Sequence, residues 1–200
     1  MATRRPKTPP DALAGAVRAL LAALGSDANG PGMNDTPARA AEAWRVFTRG
    51  YASSAREVFA EGTFEEAHDG MVLIRGIEFY SVCEHHLVPF YGTCHVAYLP
   101  SGRIAGLSKF ARLVDLHARR LQVQERMTRD IARDIQSNLK PRGVAVQVQA
   151  RHLCMAMRGV EQKSADVVTT SMLGAFKTDA ALVAQFHALL SAPGGTHPHP

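Results

Sequence analysis

A strand-forming run that ends in a cluster of metal-binding side chains constrains this chain more than any other feature. Residues 71–82 are rich in β-branched and aromatic side chains, which is typical of a strand. The run leads directly into Cys83, Glu84, His85 and His86. A thiol and imidazoles this close together favour zinc, but one Cys and one His are too few to form a site. The sequence therefore predicts a strand whose end supplies part of a metal site.

The order of the predicted elements indicates an α+β fold. Helical periodicity predicts one helix over 11–24 and another that begins after Asp35, and both precede the first strand. The later elements are a return strand at 92–99, helices from 108 and from 123, strands at 144–154 and 167–173, and a helix at 179–190. This succession favours an antiparallel four-stranded sheet with two helices on one face.

One helix carries a clear inward stripe. From residue 123 onwards, apolar side chains recur every four residues at Met127, Ile131, Ile135 and Leu139. We expect this stripe to pack against the sheet.

The chain divides into three parts at residues 70 and 191. Residues 1–69 are predicted to form an N-terminal helical extension, of which the basic, Pro-rich residues 1–10 are expected to be disordered. Residues 70–190 form the predicted α+β domain with the metal site. Residues 191–200 are rich in Gly, Pro and His and are expected to form a flexible tail.

Composition limits the classes of function. The three cysteines are too widely spaced for a disulfide framework, and the first residues make a poor secretory signal, so we expect a cytoplasmic protein. No apolar run is long enough to span a membrane. The net charge of +5 comes from scattered basic residues with few aromatics, which argues against nucleic-acid binding. An anionic small-molecule ligand and a merely basic surface both remain open.

The most plausible third metal ligand is Cys154. His152 and Cys154 lie two residues apart in a predicted strand, so both side chains would project from the same face. Cys94 is the competing thiol, but its neighbours are typical of an ordinary strand, and we interpret it as structural. Two thiolates and one imidazole would leave a tetrahedral zinc with an open position, as catalytic zinc sites have.

Spacing alone does not rank the two adjacent histidines. In a flat strand Cys83 and His85 would share a face, whereas a bend at Glu84 would bring His86 to Cys83 instead. The histidine that does not bind the metal would be suited to general acid–base work, because its pKa lies near the operating pH.

A second group of residues favours a phosphorylated substrate. Ser108 is predicted to cap a helix whose free N–H groups attract anions, with Lys109 and Arg112 in its first turns. Arg158 could complete a phosphate clamp by bidentate pairing. Each cation alone is more typical of a solvated surface, and for Arg39 the local sequence does not distinguish a surface charge from an anion ligand.

Gln124 and Glu125 begin the helix that carries the apolar stripe. A carboxylate in a first turn is stabilised by the helix dipole, so Glu125 has a capping interpretation. The functional alternative is that it accepts hydrogen bonds from the amidine-like edge of a base such as guanine.

These residues fall in segments that together resemble the GTP cyclohydrolase I family of zinc enzymes. The segments are residues 35–39 (DTPAR), 83–90 (CEHHLVPF), 106–109 (GLSK), 122–126 (QVQER) and 152–160 (HLCMAMRGV). They occur in the family's order and spacing. The loop that follows the last segment departs from the more usual Lys- and Ser-containing sequence, which puts any substrate contact there in doubt.

The resemblance implies a role for each matching residue. Cys83, His86 and Cys154 match the family's zinc ligands, with one Zn²⁺ per subunit. The implied catalytic residues are His85, His152 and Ser108. The implied substrate-binding residues are Gln124, Glu125, Lys109, Arg112, Arg158 and Arg39.

The resemblance also implies a reaction and an assembly. The enzyme would open the imidazole ring of GTP by zinc-dependent hydrolysis, release formate and form 7,8-dihydroneopterin 3′-triphosphate, the first step of folate or pterin biosynthesis. The fold would be the tunnelling fold with an N-terminal helical extension. Ten subunits would assemble as two pentamers, with active sites between subunits.

Two other classes of function have less support in the sequence. A non-catalytic member of the same fold would use zinc only to join strands. A nucleobase deaminase would require H-x-E and P-C-x-x-C motifs, which this sequence lacks.

Overall fold

The computed structural model describes residues 10–25 and 30–193 of the chain. Apart from Pro10, where the first helix begins, the predicted disorder of residues 1–10 lies outside the described residues. The same is true of the predicted flexible tail from residue 194 onwards. The described α-helices are α1 (Pro10–Leu24), α2 (Thr36–Phe47), α3 (Ala55–Phe59), α4 (Leu107–Ala118), α5 (Gln124–Leu139), α6 (Leu153–Ala156) and α7 (Ala180–Ser191). The described strands are β1 (Thr63–Glu65), β2 (Val72–Cys83), β3 (Pro89–Leu99), β4 (Arg103–Ala105), β5 (Leu121–Gln122), β6 (Gly143–His152) and β7 (Val167–Gly174).

A five-stranded sheet in the order β5-β2-β3-β6-β7 forms the centre of the fold. The pairs β2–β3, β3–β6 and β6–β7 are antiparallel, so the α+β class and the expected antiparallel strands are confirmed. The prediction missed β5, which adds two residues in parallel to the end of β2. It also missed a separate ribbon formed by β1 and β4.

The stripe on α5 packs into the main core, as predicted. Met127, Ile131 and Ile135 have no exposed surface and Leu139 is 2% exposed. They share a cluster with inward side chains of β3 and β6 and with α4. Burying a side chain of this size contributes roughly 1.5–3 kcal/mol, so the stripe is a main source of stability for this face.

Helices cover both faces of the sheet, which differs from the prediction of helices on one face. Ala97 and Leu99 alternate along β3 with the residues that face α4 and α5, so they point the other way. They pack with Ala145 and with Phe176 and Phe186, the last from α7. The final helix therefore closes a second, smaller core.

The sheet brings the predicted site residues to one end. β2 and β6 are both antiparallel to β3, so their carboxyl ends, at Cys83 and His152, point the same way. β5 pairs with the last residues of β2 and leads into α5 after a single residue, so Gln124 begins its helix at this end as well. None of the described helices is long and apolar enough to cross a membrane.

Candidate metal centre and active site

Cys83, His86 and Cys154 form a cluster at the end of the sheet. Their potential ligand atoms all lie within 4.8 Å of one another, and the cluster is the one group of this kind among the described residues. Cys83 Sγ lies 3.7 Å from His86 Nδ1. Cys83 is buried, Cys154 is half-buried and His86 is exposed, so the cluster opens to the surface on one side.

A tight turn brings His86 back to Cys83. The Cys83 N–H donates to the carbonyl of Val88 (3.0 Å), and the Leu87 N–H donates to the carbonyl of Cys83 (2.9 Å). Leu87 has a left-handed φ of 55°, which is unusual for a branched side chain and marks a local constraint. Of the two alternatives left open by spacing, the structure has the bent one, with His86 beside Cys83.

Cys154 reaches the cluster from a different element than predicted. β6 ends at His152, and Cys154 lies in the helical turn α6, so the expectation of a strand through 154 is wrong. The same-face argument from His152 therefore does not apply, although the thiol still reaches Cys83. Helical backbone at 153–156 turns this side chain away from the strand's alternation.

The cluster fits a zinc ion in its donor chemistry. Sulfur and imidazole nitrogen are the ligands that zinc prefers, at bond lengths of about 2.0–2.3 Å, which places ligand atoms roughly 3.5 Å apart. The ligand atoms of the cluster lie within 4.8 Å of one another, somewhat wider than this spacing. Burial and the adjacent Cys83 thiol raise the pKa of Cys154. A bound cation would offset both effects, because it favours thiolates.

His85 lies beside the cluster and is not part of it. Its side chain is 64% exposed, and its Nε2 lies 3.9 Å from Glu84 Oε1. Its ring meets that of His86 edge-on, with centroids 6.2 Å apart. The His85 ring is therefore accessible to a ligand that binds next to the cluster.

Sequence reasoning missed a network behind the turn. The Arg126 guanidinium forms an ion pair with Glu84 and donates from Nε to Gln122 Oε1 (3.2 Å) and from Nη2 to the Leu121 carbonyl (3.3 Å). The hydrogen bond from Arg126 lowers the pKa of Glu84. The Glu84 N–H donates to the Gln122 carbonyl (3.1 Å). α5 and β5 thus hold the residue that follows Cys83.

His152 is held flat against an aromatic ring that the sequence reasoning also missed. Its imidazole stacks on Phe90, with centroids 4.6 Å apart and planes inclined by 3°. The two residues are cross-strand partners on β3 and β6. His152 Nε2 lies 2.7 Å from Gln124 Oε1, and burial lowers the pKa of His152. Strand register could have suggested Phe90, because it is directly opposite His152.

Gln124 and Glu125 are adjacent in sequence but differ in environment. Gln124 is 1% exposed, and its amide is bonded within the protein. Glu125 is exposed at the first turn of α5, close enough for its charge to act on His152. Of the two residues predicted to hold a base, Glu125 is the one whose side chain is exposed to solvent.

The predicted substrate-binding cations lie on three parts of the chain. Lys109 and Arg112 are on α4, Arg39 is on α2, and Arg158 follows α6. Gly106, not Ser108, precedes α4, and Ser108 makes no capping hydrogen bond, so the predicted N-cap is wrong. Ser108 is exposed on the first turn and Lys109 is half-buried. Arg112 lines a cavity of about 570 Å³. The remaining two cations, Arg39 and Arg158, are exposed.

Arg39 and Cys94 have clear local environments. Arg39 pairs with Asp35 (3.6 Å) and donates to Thr36 Oγ1 (3.2 Å), both one turn away in sequence. Cys94 has no exposed surface and lies in the main core, as expected for a structural cysteine. Burial raises the pKa of its thiol far above the usual range, which makes it a poor metal ligand.

Comparisons with known proteins agree on one family. The family model for GTP cyclohydrolase I matches residues 13–191. The GTP cyclohydrolase 1 of Chromohalobacter salexigens is 50% identical over 84% of this chain and 91% of its own length. That of Deinococcus radiodurans is 48% identical over 94% of this chain and 85% of its own length. GTP cyclohydrolase 1 2 of Pseudomonas aeruginosa is 50% identical over 86% of this chain and 94% of its own length.

Among solved structures, the archaeosine synthase QueF-Like in the apo form aligns with a TM-score of 0.46 at 18% identity, over 54% of this chain and 97% of that chain. A score this low carries no argument about the fold. The family model and the relatives each cover most of the chain. The chain therefore belongs to the GTP cyclohydrolase I family and is an enzyme of that family.

Proposed function

We propose that this enzyme opens the imidazole ring of GTP by hydrolysis, releases formate and forms 7,8-dihydroneopterin 3′-triphosphate, with one zinc ion per subunit. The observation that carries the proposal is the cluster of Cys83, His86 and Cys154 within 4.8 Å, in a chain whose family model matches residues 13–191. Formation of this product would be the first step of folate or pterin biosynthesis.

The ligand set supports a catalytic zinc rather than a structural one. Three protein ligands leave a fourth position open, whereas structural zinc has four. When bound, zinc would supply a Lewis acid and lower the pKa of a coordinated water to roughly 7. The exposure of His86 is consistent with access from solvent to that open side.

The two other histidines are proposed to handle protons at the imidazole ring of the substrate. His85 is exposed next to the cluster, where its ring can reach N7 of a guanine whose C8 faces the metal-binding residues. His152 lies at the end of β6, and its ring is stacked on Phe90. An imidazole can either donate or accept a proton at a ring nitrogen, which suits general acid–base work.

The start of α4 is proposed to bind the ribose and triphosphate. Its N–H groups and positive dipole end attract anions. Ser108, Lys109 and Arg112 lie in the first two turns of this helix, and Arg158 and Arg39 would complete the anion site. The exposed carboxylate of Glu125 would accept hydrogen bonds from N1–H and the 2-amino group of guanine.

The tunnelling fold and a decamer of two pentamers are proposed for the assembly. Several exposed apolar side chains would be available for contacts between the subunits of such an assembly. Examples are Leu24 (70% exposed), Met157 (68%) and Val160 (67%). Active sites between subunits would explain why the proposed substrate-binding cations lie on separate elements.

We also propose that the chain divides as the sequence predicts, into an N-terminal extension at 1–69, a catalytic domain at 70–190 and a tail at 191–200. The enzyme is proposed to be cytoplasmic.

A turnover assay tests the proposal. Purified, zinc-loaded protein is given GTP, formate is measured, and the product is oxidised and examined for pterin fluorescence. We expect one formate and one pterin for each GTP consumed. Zinc-loaded, folded protein that leaves GTP unchanged would refute the proposed function.

A further inference from the structure

Gln124 has a hydrogen-bond arrangement that determines which way its amide faces. Its Nε2 lies 2.9 Å from the Val167 carbonyl, 3.1 Å from the Val148 carbonyl and 3.1 Å from Thr169 Oγ1. Carbonyl oxygens only accept hydrogen bonds, so the two N–H groups of the amide must face them. The amide oxygen therefore faces His152.

The orientation of the Gln124 amide determines which nitrogen of the His152 ring carries a hydrogen. Gln124 Oε1 can only accept, so the ring nitrogen 2.7 Å away, Nε2, must carry a hydrogen. In the neutral imidazole this leaves Nδ1 as the acceptor. Stacking on Phe90 within 3° fixes the plane of the same ring. One hydrogen bond and one stacking contact together fix both the tautomer and the orientation.

The same contacts leave the Gln124 side chain no free N–H group for a base. Both N–H groups have protein acceptors, and the oxygen already accepts from His152. Donation from the amide to guanine would require breaking buried hydrogen bonds, each of which is costly to leave unmade. The residue is 1% exposed, so a base does not reach the second lone pair of the amide oxygen either. Glu125, the next residue, is exposed and has no such constraint.

We propose that Gln124 is a positioning residue that holds His152 as its Nε2–H tautomer, and that it does not bind the guanine base. The role of His152 in turnover rests on the proposed function, whereas the hydrogen bond between the two side chains does not. This assignment replaces the base-binding role that the sequence motif implied for Gln124.

The kinetic test separates positioning from base binding. Gln124→Met keeps the side-chain length and removes the hydrogen bonds, and a misplaced catalytic group lowers kcat by roughly 10–100-fold. We expect the KM for GTP to stay within about twofold, since binding of the substrate itself is not removed. In a His152→Asn background, Gln124→Met should lower kcat no further, because it acts through His152.

Gln136 offers a matched control on the same helix. It is a part-buried glutamine whose Nε2 donates to the Pro141 carbonyl (3.0 Å), and no contact joins it to His152 among the described residues. Gln136→Met should keep the kcat and KM of the unaltered enzyme. A rise of about tenfold in KM for Gln124→Met with kcat preserved, or losses that multiply in the His152→Asn background, would overturn the proposal.

A second measurement needs neither a Gln124 variant nor turnover. Solid-state NMR of the unaltered protein labelled with ¹⁵N-histidine reports the tautomer of each ring, and the His152 signals are those lost in His152→Asn. We expect hydrogen on Nε2 and none on Nδ1. Hydrogen on Nδ1 alone overturns the proposal. If the zinc-loaded protein leaves GTP unchanged, the proposed function fails while the Nε2–H result still supports the contact.

Discussion

The ion pair behind the metal-binding turn gives a quantitative prediction. Replacing Arg126 by Met should weaken zinc binding by about 10–100-fold, although Arg126 touches none of the three proposed ligands. Arg126 holds Glu84, the residue after Cys83, and also bonds to Gln122 and Leu121 on β5. Without it, the turn that brings His86 to Cys83 loses one of its supports.

The magnitude follows from the contacts that are lost. A typical hydrogen bond contributes about 0.5–1.5 kcal/mol net, and more when charged. The side chains of Arg126 and Glu84 are 38% and 32% exposed, so water replaces part of the lost interaction and values at the low end apply. The sum is roughly 1.5–3 kcal/mol, and a factor of ten in affinity corresponds to about 1.4 kcal/mol. If the network holds the turn in its zinc-binding conformation, loss of the network weakens zinc binding by the same free energy.

Competition with a chelator of known zinc affinity measures this effect, and the absorption of the Co²⁺-substituted protein reports the thiolate ligands. Arg129→Met is the matched control, because Arg129 lies on the same helix and pairs only with half-buried Asp130 (3.1 Å) among the described residues. The control should bind zinc as the unaltered protein does. If Arg126→Met also binds zinc within about twofold of the unaltered protein, the network does not organise the turn, and the reasoning is refuted.

Three further predictions concern the metal centre, the core and His95 on β3. Cys154→Ala should remove zinc and turnover but leave the protein folded, as measured by circular dichroism, and loss of folding would instead indicate a structural zinc. Ile131→Ala should lower the free energy of unfolding in denaturant by about 2–5 kcal/mol, because Ile131 has no exposed surface; a loss under about 1 kcal/mol would contradict its place in the core. Burial lowers the pKa of His95, whose Nδ1 accepts from the Gly76 N–H (3.2 Å). The unfolded chain therefore binds the proton more readily than the folded chain, so the free energy of unfolding should fall as the pH drops through about 6.5, the pKa of histidine in the unfolded chain. His95→Gln should reduce the dependence of the free energy of unfolding on pH in this range. An unchanged dependence would show that His95 is not its source.

Elements that have a local signal in the sequence were predicted well. The four-residue spacing of Met127, Ile131 and Ile135 predicted a buried helix face, and the face is buried. The β-rich run at 71–82 predicted β2 to within a residue at each end. Both signals come from residues that are neighbours in sequence, one from helical periodicity and the other from β-branched and aromatic content.

Features that depend on tertiary contacts were missed or misplaced. β5 has two residues and no pattern of its own, since its pairing with β2 defines it. Cys154 was placed in a strand because alternation continued past His152, whereas the chain turns into α6 there. Ser108 has the side chain of a good N-cap, but the helix begins one residue earlier, at Leu107, because Gly106 has the extended backbone that precedes it.

The three residues predicted to bind metal lie together in the structure, whereas the contacts around them were not predicted. Cys83, His86 and Cys154 come together in the structure. Gln124 donates the hydrogen bonds that orient its amide to the carbonyls of Val148 on β6 and Val167 on β7, and nothing in the local sequence specifies these partners. The family resemblance implied substrate binding for Gln124, whereas its buried contacts favour positioning.

The most direct test of the central claim is a zinc titration of metal-free enzyme, with turnover of GTP and bound zinc measured on the same samples. If the centre formed by Cys83, His86 and Cys154 carries the hydrolysis, formate release should rise in proportion to bound zinc and level off at one zinc per chain. Cys154→Ala should show neither rise. Formate release from metal-free enzyme, or undiminished release from Cys154→Ala, would contradict the account.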